Sequence, residues 1–248
     1  MTMFHSMYIG DKNTWDDYSL VPSEKIYFPV AKQKTITTSI EGASGSLDFS
    51  TLLTGYPIYE NITGSVKFYL LDSIDTRIYA NSEHAFPANY SFYDIFAKIR
   101  GDLDGKTARV WLEDDPDWYY EGRINVTTEM TSPRPTITLS YDLGPYKKAR
   151  RSKRWELNGL GTSIINRQII PEELAGPMPA NFSFTVTSTS ADIPEITFKC
   201  PALNVDDTRT FQPGTYTVYE WVIYKYSEIL VSASSDVKVT VLYTPGRL

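Results

Sequence analysis

Hydrophobic and polar residues alternate over most of the chain, and a period of two is typical of strands that bury one face. In the first 150 residues the apolar positions of these runs are Ile36, Thr38 and Ile40; Val66, Phe68 and Leu70; Val110 and Leu112; Ile124 and Val126; and Ile137, Leu139 and Tyr141. After residue 180 they are Phe182, Phe184 and Val186; Ile196 and Phe198; the long run Thr215–Tyr226; and Val237, Val239, Val241 and Tyr243. The pattern predicts two strand-rich regions, of which residues 180–248 form an antiparallel sandwich or jelly roll.

One segment departs from this period. Its apolar residues recur at the spacing of a single helical stripe, namely at Phe92, Ile95, Phe96 and Ile99. Ser91 with Asp94 resembles a capping box, and Gly101 is a typical stop. We therefore predict a helix over residues 91–100 that covers one sheet.

Length and composition agree with a β-rich fold. The chain has 248 residues and a mass of 28.2 kDa, enough for one large domain or two modest ones. Aromatic residues make up 14% of the chain and include 18 Tyr, and such residues favour pleated, half-buried surfaces. We expect a mainly β protein with one helix flanking the first region.

One short basic run divides an otherwise acidic chain. Residues 147–154 contain six Lys and Arg side chains and no carboxylate, whereas the whole chain has a net charge of -6. A charge run of this kind marks a boundary, so we predict a first domain at residues 1–150 and a second at residues 155–248, joined by an exposed linker. Phosphate or anionic-membrane binding is less favoured, because the run lacks interleaved aromatic residues.

Cysteine and histidine usage excludes several kinds of chemistry. One Cys and two His cannot form an internal disulfide or a Cys/His zinc site, and Cys200 is predicted to be a buried small hydrophobe. No apolar run is long enough for a membrane-spanning helix, and the N-terminus lacks the pattern of a secretory signal. No nucleophile elbow, phosphate loop or dinucleotide fingerprint occurs. We therefore predict no catalytic residue, no cofactor and no metal site.

A cluster of carboxylates is the most tempting candidate for metal binding or acid–base catalysis. It consists of Glu113, Asp114, Asp115, Asp117 and Glu121. The spacing of a calcium loop is absent, and Pro116 fixes a turn between two strands. We predict a solvated turn whose carboxylates cap backbone donors or meet a partner.

Four motifs stand out in order along the chain. They are Tyr8–Tyr18; Gly42–Asp48 with Leu53–Tyr56 and Tyr59–Asn61; Leu112–Arg123; and Pro145–Lys147. Together they resemble the distal tail proteins of long-tailed, siphovirus-type bacteriophages, with Leu112–Arg123 as the most specific stretch. Tyr18 stands where Trp is common in that family, and Val239–Leu248 is similar to its C-terminal strand and tail.

The resemblance implies a tail-tube-like β-sandwich with one flanking helix for the first domain and a galectin-like β-sandwich, or jelly roll, for the second. Six copies would close into a ring at the distal end of the virion tail, after assembly in the host cytoplasm. The implied partners are the tail tube protein, a tail tip or tail-associated lysin protein, and receptor-binding or baseplate proteins. A central passage would admit DNA without specific nucleic-acid binding, so the implied role is structural and not enzymatic.

Contacts in such a ring are expected at the hairpin flanks of the second motif and at an aromatic triplet, since Trp and Tyr are favoured interface anchors. The candidate residues are Gly42, Leu47, Leu53, Trp118, Tyr119 and Tyr120. An equally open interpretation is that half of these aromatic residues are core.

A carbohydrate-binding module that contacts host cell-surface glycans is the alternative function. Galectin-like sandwiches elsewhere hold sugars with a His-x-Asn-x-Arg strand and a stacking Trp. Residues 177–248 contain no His, and Trp221 lies in a strand without that setting. A carboxylate-based glycosidase ranks third.

Overall fold

The structure is a computed structural model, and it describes residues 6–39, 46–52, 54–70, 92–129, 135–165, 178–189, 191–234 and 236–248. The chain forms two compact units. The first unit comprises Met1–Lys32 and Glu60–Lys147, and the second comprises Gln33–Tyr59 and Lys148–Leu248.

Strands dominate both units, which confirms the predicted mainly β fold. In chain order the elements are β1 (Met7–Ile9), β2 (Lys12–Asn13), β3 (Leu20–Pro22), β4 (Thr37–Ser39), β5 (Ser46–Asp48), β6 (Ile62–Leu70), α1 (Phe92–Leu103), β7 (Thr107–Leu112), β8 (Trp118–Glu129), β9 (Thr136–Leu143), β10 (Lys147–Ala149), β11 (Lys153–Asn158), β12 (Gly161–Ile165), β13 (Ala180–Ser188), β14 (Glu195–Cys200), β15 (Val205–Thr210), β16 (Gly214–Ile223), β17 (Ser227–Ser232), β18 (Val237–Tyr243) and β19 (Gly246–Arg247).

The first unit is built on one antiparallel sheet with the strand order β2-β1-β7-β8-β9-β6-β3. Its longest ladders flank β9, which pairs with β6 from Ile62 opposite Leu143 to Tyr69 opposite Thr136. The predicted apolar positions that are buried here are Val66, Phe68, Leu70, Val110, Ile124, Val126, Ile137, Leu139 and Tyr141. The alternation therefore separates a buried face of the sheet from a polar one.

The predicted helix is confirmed at Phe92–Leu103, where it packs against β8. The buried side chains of α1 are Ile95, Phe96, Ile99 and Leu103. Gly101 does not end the helix, contrary to the prediction. The chain leaves the helix after Leu103, and Gly105 then adopts φ +70, a left-handed conformation that suits glycine. Ser91 lies outside the described residues.

In its described residues, the second unit contains the small β4-β5 sheet and a β-sandwich of two four-stranded antiparallel sheets, with the orders β11-β18-β13-β16 and β12-β17-β14-β15. Side chains of both sheets form its core, where the Trp221 ring lies 5.6 Å from Phe198 and 5.9 Å from Phe184. The predicted apolar positions that are buried in this core are Phe182, Phe184, Val186, Ile196, Phe198, Val237, Val239, Val241 and Tyr243. The sandwich predicted for residues 180–248 is confirmed, and β11 and β12 extend it.

Residues 33–59 cluster with the second unit, although the sequence placed them in the first domain at residues 1–150. The ring of Tyr56 packs on that of Tyr224 in the sandwich, with 5.5 Å between the ring centroids. The strand predicted around Ile36 is the short β4, and Ile36 itself is exposed. Contacts with residues that are distant in the sequence therefore make this segment part of the second unit.

The basic run lies mostly in strands, so the prediction of an exposed linker over residues 147–154 was wrong for most of its length. Lys147–Ala149 form β10, which pairs with β19. Lys153 and Arg154 open β11, which pairs with β18. Strand pairing satisfies backbone groups that a linker would leave to water, and residues 150–152 alone lie between the two strands.

Cys200 ends β14 and is buried, as predicted. Its thiol donates a weak hydrogen bond to the backbone carbonyl of Lys225 at 3.9 Å, and the side chain packs among the apolar residues of the sandwich core. Within the described ranges, no helix has the length and apolar character needed to cross a membrane.

Two glycines of the first unit differ in the space around them, so their substitution by Ala should change stability in opposite directions. A Cβ at Gly122 would overlap the Asp142 carbonyl oxygen and lie 2.6 Å from Leu143 Cα, so we expect Gly122→Ala to destabilise the fold by about 2 kcal/mol or more. A Cβ at Gly101 in α1 meets nothing within 4 Å, so Gly101→Ala should stabilise it by about 0.5–1 kcal/mol. Urea unfolding of both variants measures the two changes, and equal stabilities would contradict this packing.

Candidate functional site

The first motif folds into a turn that its own polar side chains hold. Asn13 Oδ1 accepts the backbone N–H of Trp15 at 2.7 Å and that of Asp16 at 3.1 Å. The Asp17 carboxylate in turn accepts the Asn13 N–H at 2.8 Å. Asn and Asp favour turns through such side chain–backbone bonds, so this motif has a local structural role.

Tyr18 connects this turn to α1. Its side chain is fully buried, and its hydroxyl donates to Asp102 Oδ2 at 2.9 Å. Lys98 donates to the same oxygen at 2.9 Å, and its ammonium lies 5.4 Å from the centre of the Tyr18 ring. Burial, followed by the bond to Asp102, raises the pKa of Tyr18. The phenol therefore stays neutral and acts as a hydrogen-bond donor.

The carboxylate of Asp102 is the acceptor that joins these groups. Partial burial raises its pKa, but the hydrogen bonds from Lys98 and Tyr18 outweigh that effect and hold the pKa below its usual range. Asp102 lies in the last turn of α1, beyond the predicted end of the helix. Sequence periodicity therefore missed this contact.

The acidic turn is tied to neighbouring backbone and side chains. Glu113 Oε2 accepts the Ser6 hydroxyl at 2.9 Å and the Ser6 N–H at 3.2 Å. Asp115 forms an ion pair with Lys147 at 2.5 Å, and that ammonium lies 5.6 Å from the centre of the Tyr120 ring. In the described part of the chain, no group of three His, Cys, Asp or Glu side chains is placed to hold a metal ion.

The aromatic triplet divides between core and surface. Tyr119 and Tyr120 are buried within the single chain, whereas Trp118 is half-buried. The ring of Tyr120 packs edge-on against Phe28 at 5.2 Å, and the guanidinium of Arg109 lies 4.9 Å from the centre of the Tyr119 ring. Trp118 is therefore the member of the triplet that offers side-chain surface to a neighbouring molecule.

The other candidate contacts belong to the hairpin region. Gly42 and Leu53 lie outside the described residues. Leu47 lies in β5 and pairs with Thr38 of β4. All three residues of β4 are exposed, so the described strand of this hairpin has surface available.

Several exposed aromatic side chains escaped the sequence analysis. Tyr27, Tyr93 and Tyr219 are each more than 70% exposed. The periods of apolar residues identified strands and the helix but did not show which aromatic side chains another element covers. Tyr93 adjoins the apolar stripe of α1 without belonging to it, which is the one sequence signal for its exposure.

Trp221 has no surface with which to stack on a sugar. It is fully buried, and its indole N–H donates to Asp207 Oδ2 at 2.8 Å. The position that a carbohydrate-binding interpretation would use is thus a core position. The structure therefore removes the one stacking residue that was considered for that alternative.

No protein-family model and no curated protein matches the sequence. The fold, in contrast, matches the crystal structure of SPP1 Dit (gp 19.1), described as a paradigm of the hub adsorption apparatus in Gram-positive infecting phages. The TM-score is 0.59 at 11% sequence identity, and the match covers 97% of this chain and 98% of SPP1 Dit. The chain therefore shares a fold with SPP1 Dit over nearly its whole length.

The contact between Tyr18 and Asp102 should make stability depend on pH. Because the folded chain lowers the pKa of Asp102, its carboxylate stabilises the fold above the unfolded pKa of about 4, and this contribution disappears as the pH falls through the folded pKa. We expect Asp102→Asn to destabilise the protein at pH 7, and we expect its difference from the wild type to shrink as the pH falls below about 4. Urea unfolding at several pH values measures this difference.

Tyr18→Phe is the matched variant, because it keeps the buried ring and removes the hydroxyl. It should cost about 1–2 kcal/mol at pH 7. The double variant should lose less than the sum of the two single losses, since both remove the same hydrogen bond. Full additivity would show that the two groups act independently.

Calcium should leave the protein unaffected. Glu113 and Asp115 already bind Ser6 and Lys147, and a ligand that binds only the folded state would raise the melting temperature by mass action. We expect equal melting temperatures in millimolar calcium and in chelator. A calcium-dependent rise of several degrees would overturn the structural role of this turn.

Proposed function

We propose that this chain is a structural protein of a phage virion and that it forms a hexameric ring at the distal end of a long, non-contractile tail. The observation that carries the proposal is the fold match to SPP1 Dit, which extends over 97% of this chain and 98% of that one. The agreement includes both strand-rich units and is not limited to one common sandwich. The order of the four sequence motifs supports the same assignment.

Contacts in the structure show what the first motif and the acidic motif do in the fold. The Asn13–Asp17 turn and Tyr18 join the N-terminal strands to α1. In the acidic motif, Glu113 accepts a hydrogen bond from Ser6 and Asp115 forms an ion pair with Lys147. These contacts stabilise the first unit itself, which agrees with motifs that define a fold and not a catalytic site.

In the proposed assembly the ring joins the tail tube protein to a tail tip or tail-associated lysin protein, and to receptor-binding or baseplate proteins. A contact between two different surfaces of one chain generates a closed ring when its rotation closes after six copies. Such a ring leaves an axial opening through which DNA can pass. The galectin-like assignment of the second unit belongs to the same proposal.

Surface aromatic residues of the first unit are the better candidates for ring contacts. Tyr119 and Tyr120 are buried, whereas Tyr27 and Tyr93 are exposed and Trp118 is half-buried. Exposed aromatic anchors carry much of the binding free energy of protein interfaces. We therefore assign the ring contacts to this exposed set together with the hairpin flanks.

The mass of the full-length protein in solution tests the ring. Light scattering coupled to size exclusion should give about 170 kDa, six times the chain mass of 28.2 kDa, at high protein concentration. Micrographs of virions should show a density of six-fold symmetry at the distal end of the tube. Tails that lack such a density would overturn the proposal.

A further inference from the structure

The sandwich of the second unit has two distinct edges. Strands β11 and β12 are consecutive in the chain, contact each other and form the ends of the two sheets at one edge. Strands β15 and β16 form the ends of the two sheets at the other edge. The bond from Trp221 on β16 to Asp207 on β15 joins the two sheets there.

These edges carry opposite charge. The β11 edge, with the residues that precede it, contains four basic side chains and one carboxylate: Arg150, Arg151, Lys153, Arg154 and Glu156. The strands of the opposite edge contain three carboxylates and one basic side chain: Asp206, Asp207, Glu220 and Arg209. Residues 150 and 151 are exposed, as is Glu220, whose side chain is 72% exposed. Part of this charge is paired within the unit, since Arg154 binds Glu156 and Asp206 binds Lys199 of β14. An excess of basic side chains nevertheless remains at the β11 edge and an excess of carboxylates at the opposite one.

A bulge in β16 shapes the acidic edge. Thr217 pairs with Ser183 and Val222 pairs with Asn181, so four residues of β16 lie opposite one residue of β13. Such bulges redirect side chains. Within this one, Val218 and Trp221 are buried while Tyr219 is 77% exposed. Tyr219 and Glu220 therefore protrude from the edge.

Contacts behind the bulge fix its shape. The Asp207 carboxylate accepts the Trp221 indole N–H and the Arg209 Nε–H, each at 2.8 Å. The Arg209 guanidinium lies 5.8 Å from the Trp221 ring centre and 3.8 Å from the Glu220 carboxylate. A side chain held in this way loses little further entropy when it binds a partner.

The basic edge and the bulge of the acidic edge also lie in register across the sheet. Arg154 of β11 pairs with Leu242 of β18, Leu242 faces Ser183 of β13, and Ser183 faces Thr217 of β16. One row across the sheet therefore begins at the basic residues and ends where the bulge begins. A second copy displaced along this row would place its basic edge against Tyr219 and Glu220 of the first.

We propose that the second units of neighbouring copies contact each other edge to edge, with Tyr219 and Glu220 of one copy against the basic residues around Arg151 of the next. The inference rests on the proposed ring, because a contact between two different edges of one chain is the kind that closes a ring. Arginine suits both groups, since it stacks on aromatic rings and pairs with carboxylates. A second copy supplies this complement without any other protein.

A charge exchange in the full-length protein tests the contact. Glu220→Lys and Arg151→Glu should each weaken self-association by about tenfold or more, measured by sedimentation velocity over a series of protein concentrations. The double variant should recover most of the affinity, because it recreates the opposite-charge pair in reverse. Glu195→Lys makes the same charge change at an exposed residue of β14 and should leave association unchanged.

Tyr219 provides a second, uncharged test. Tyr219→Ala should weaken association by about tenfold or more, while Tyr219→Phe keeps the ring and most of the affinity. Far-UV circular dichroism should be the same in every variant, because the substituted side chains are exposed and lie outside the core. Higher salt should weaken the wild-type association, since the contact is partly electrostatic.

The outcomes separate this inference from the ring itself. Hexamers that resist both charge reversals overturn the edge contact and leave the ring in place. Two reversals that each weaken association without rescue in the double variant show that Glu220 and Arg151 do not face each other, which also overturns the edge contact. A wild-type chain that stays monomeric throughout the series overturns the edge contact, and the tail density then decides whether a ring exists.

Discussion

The long strands that the structure describes bury one face while the other meets water, and the two units satisfy that constraint differently. The second unit places a sheet against a sheet, so that both inner faces fill one core rich in aromatic side chains. The first unit has one sheet and covers it with α1 and with the irregular segment around Phe28, whose ring packs on Tyr120 and Tyr141. The helix meets that need for a cover.

Local periodicity was enough to predict α1 and the strands with a regular apolar face, although β12, β15 and β17 were not predicted. A run such as Val66, Phe68 and Leu70 places its apolar side chains on one face whatever its partner strand is, so the strand follows from the sequence alone. The stripe of α1 is local in the same sense. Sequence reasoning failed where pairing between distant strands decides the structure. Residues 33–59 join the second unit, and the basic run enters strands because β18 and β19 provide partners.

The candidate contact residues show the same division. The alternating pattern predicts that Tyr119 and Tyr120 point to opposite faces of β8. It does not predict that Arg109 covers the Tyr119 ring or that Phe28 packs on the Tyr120 ring. Burial of both residues follows from neighbours far away in sequence. A single sequence therefore identifies aromatic residues suited to an interface without showing which of them keep any surface.

The bulge of β16 shows why surface and core cannot be treated separately. A regular strand would turn Tyr219 and Trp221 to the same face, yet the four-residue bulge exposes the first and buries the second. A buried indole N–H without an acceptor is costly, and Asp207 removes that cost only while the bulge keeps its shape. The hydrogen bond that completes the core thereby determines which aromatic ring faces outward. A substitution at Asp207 would therefore alter the exposed edge as well as the core behind it.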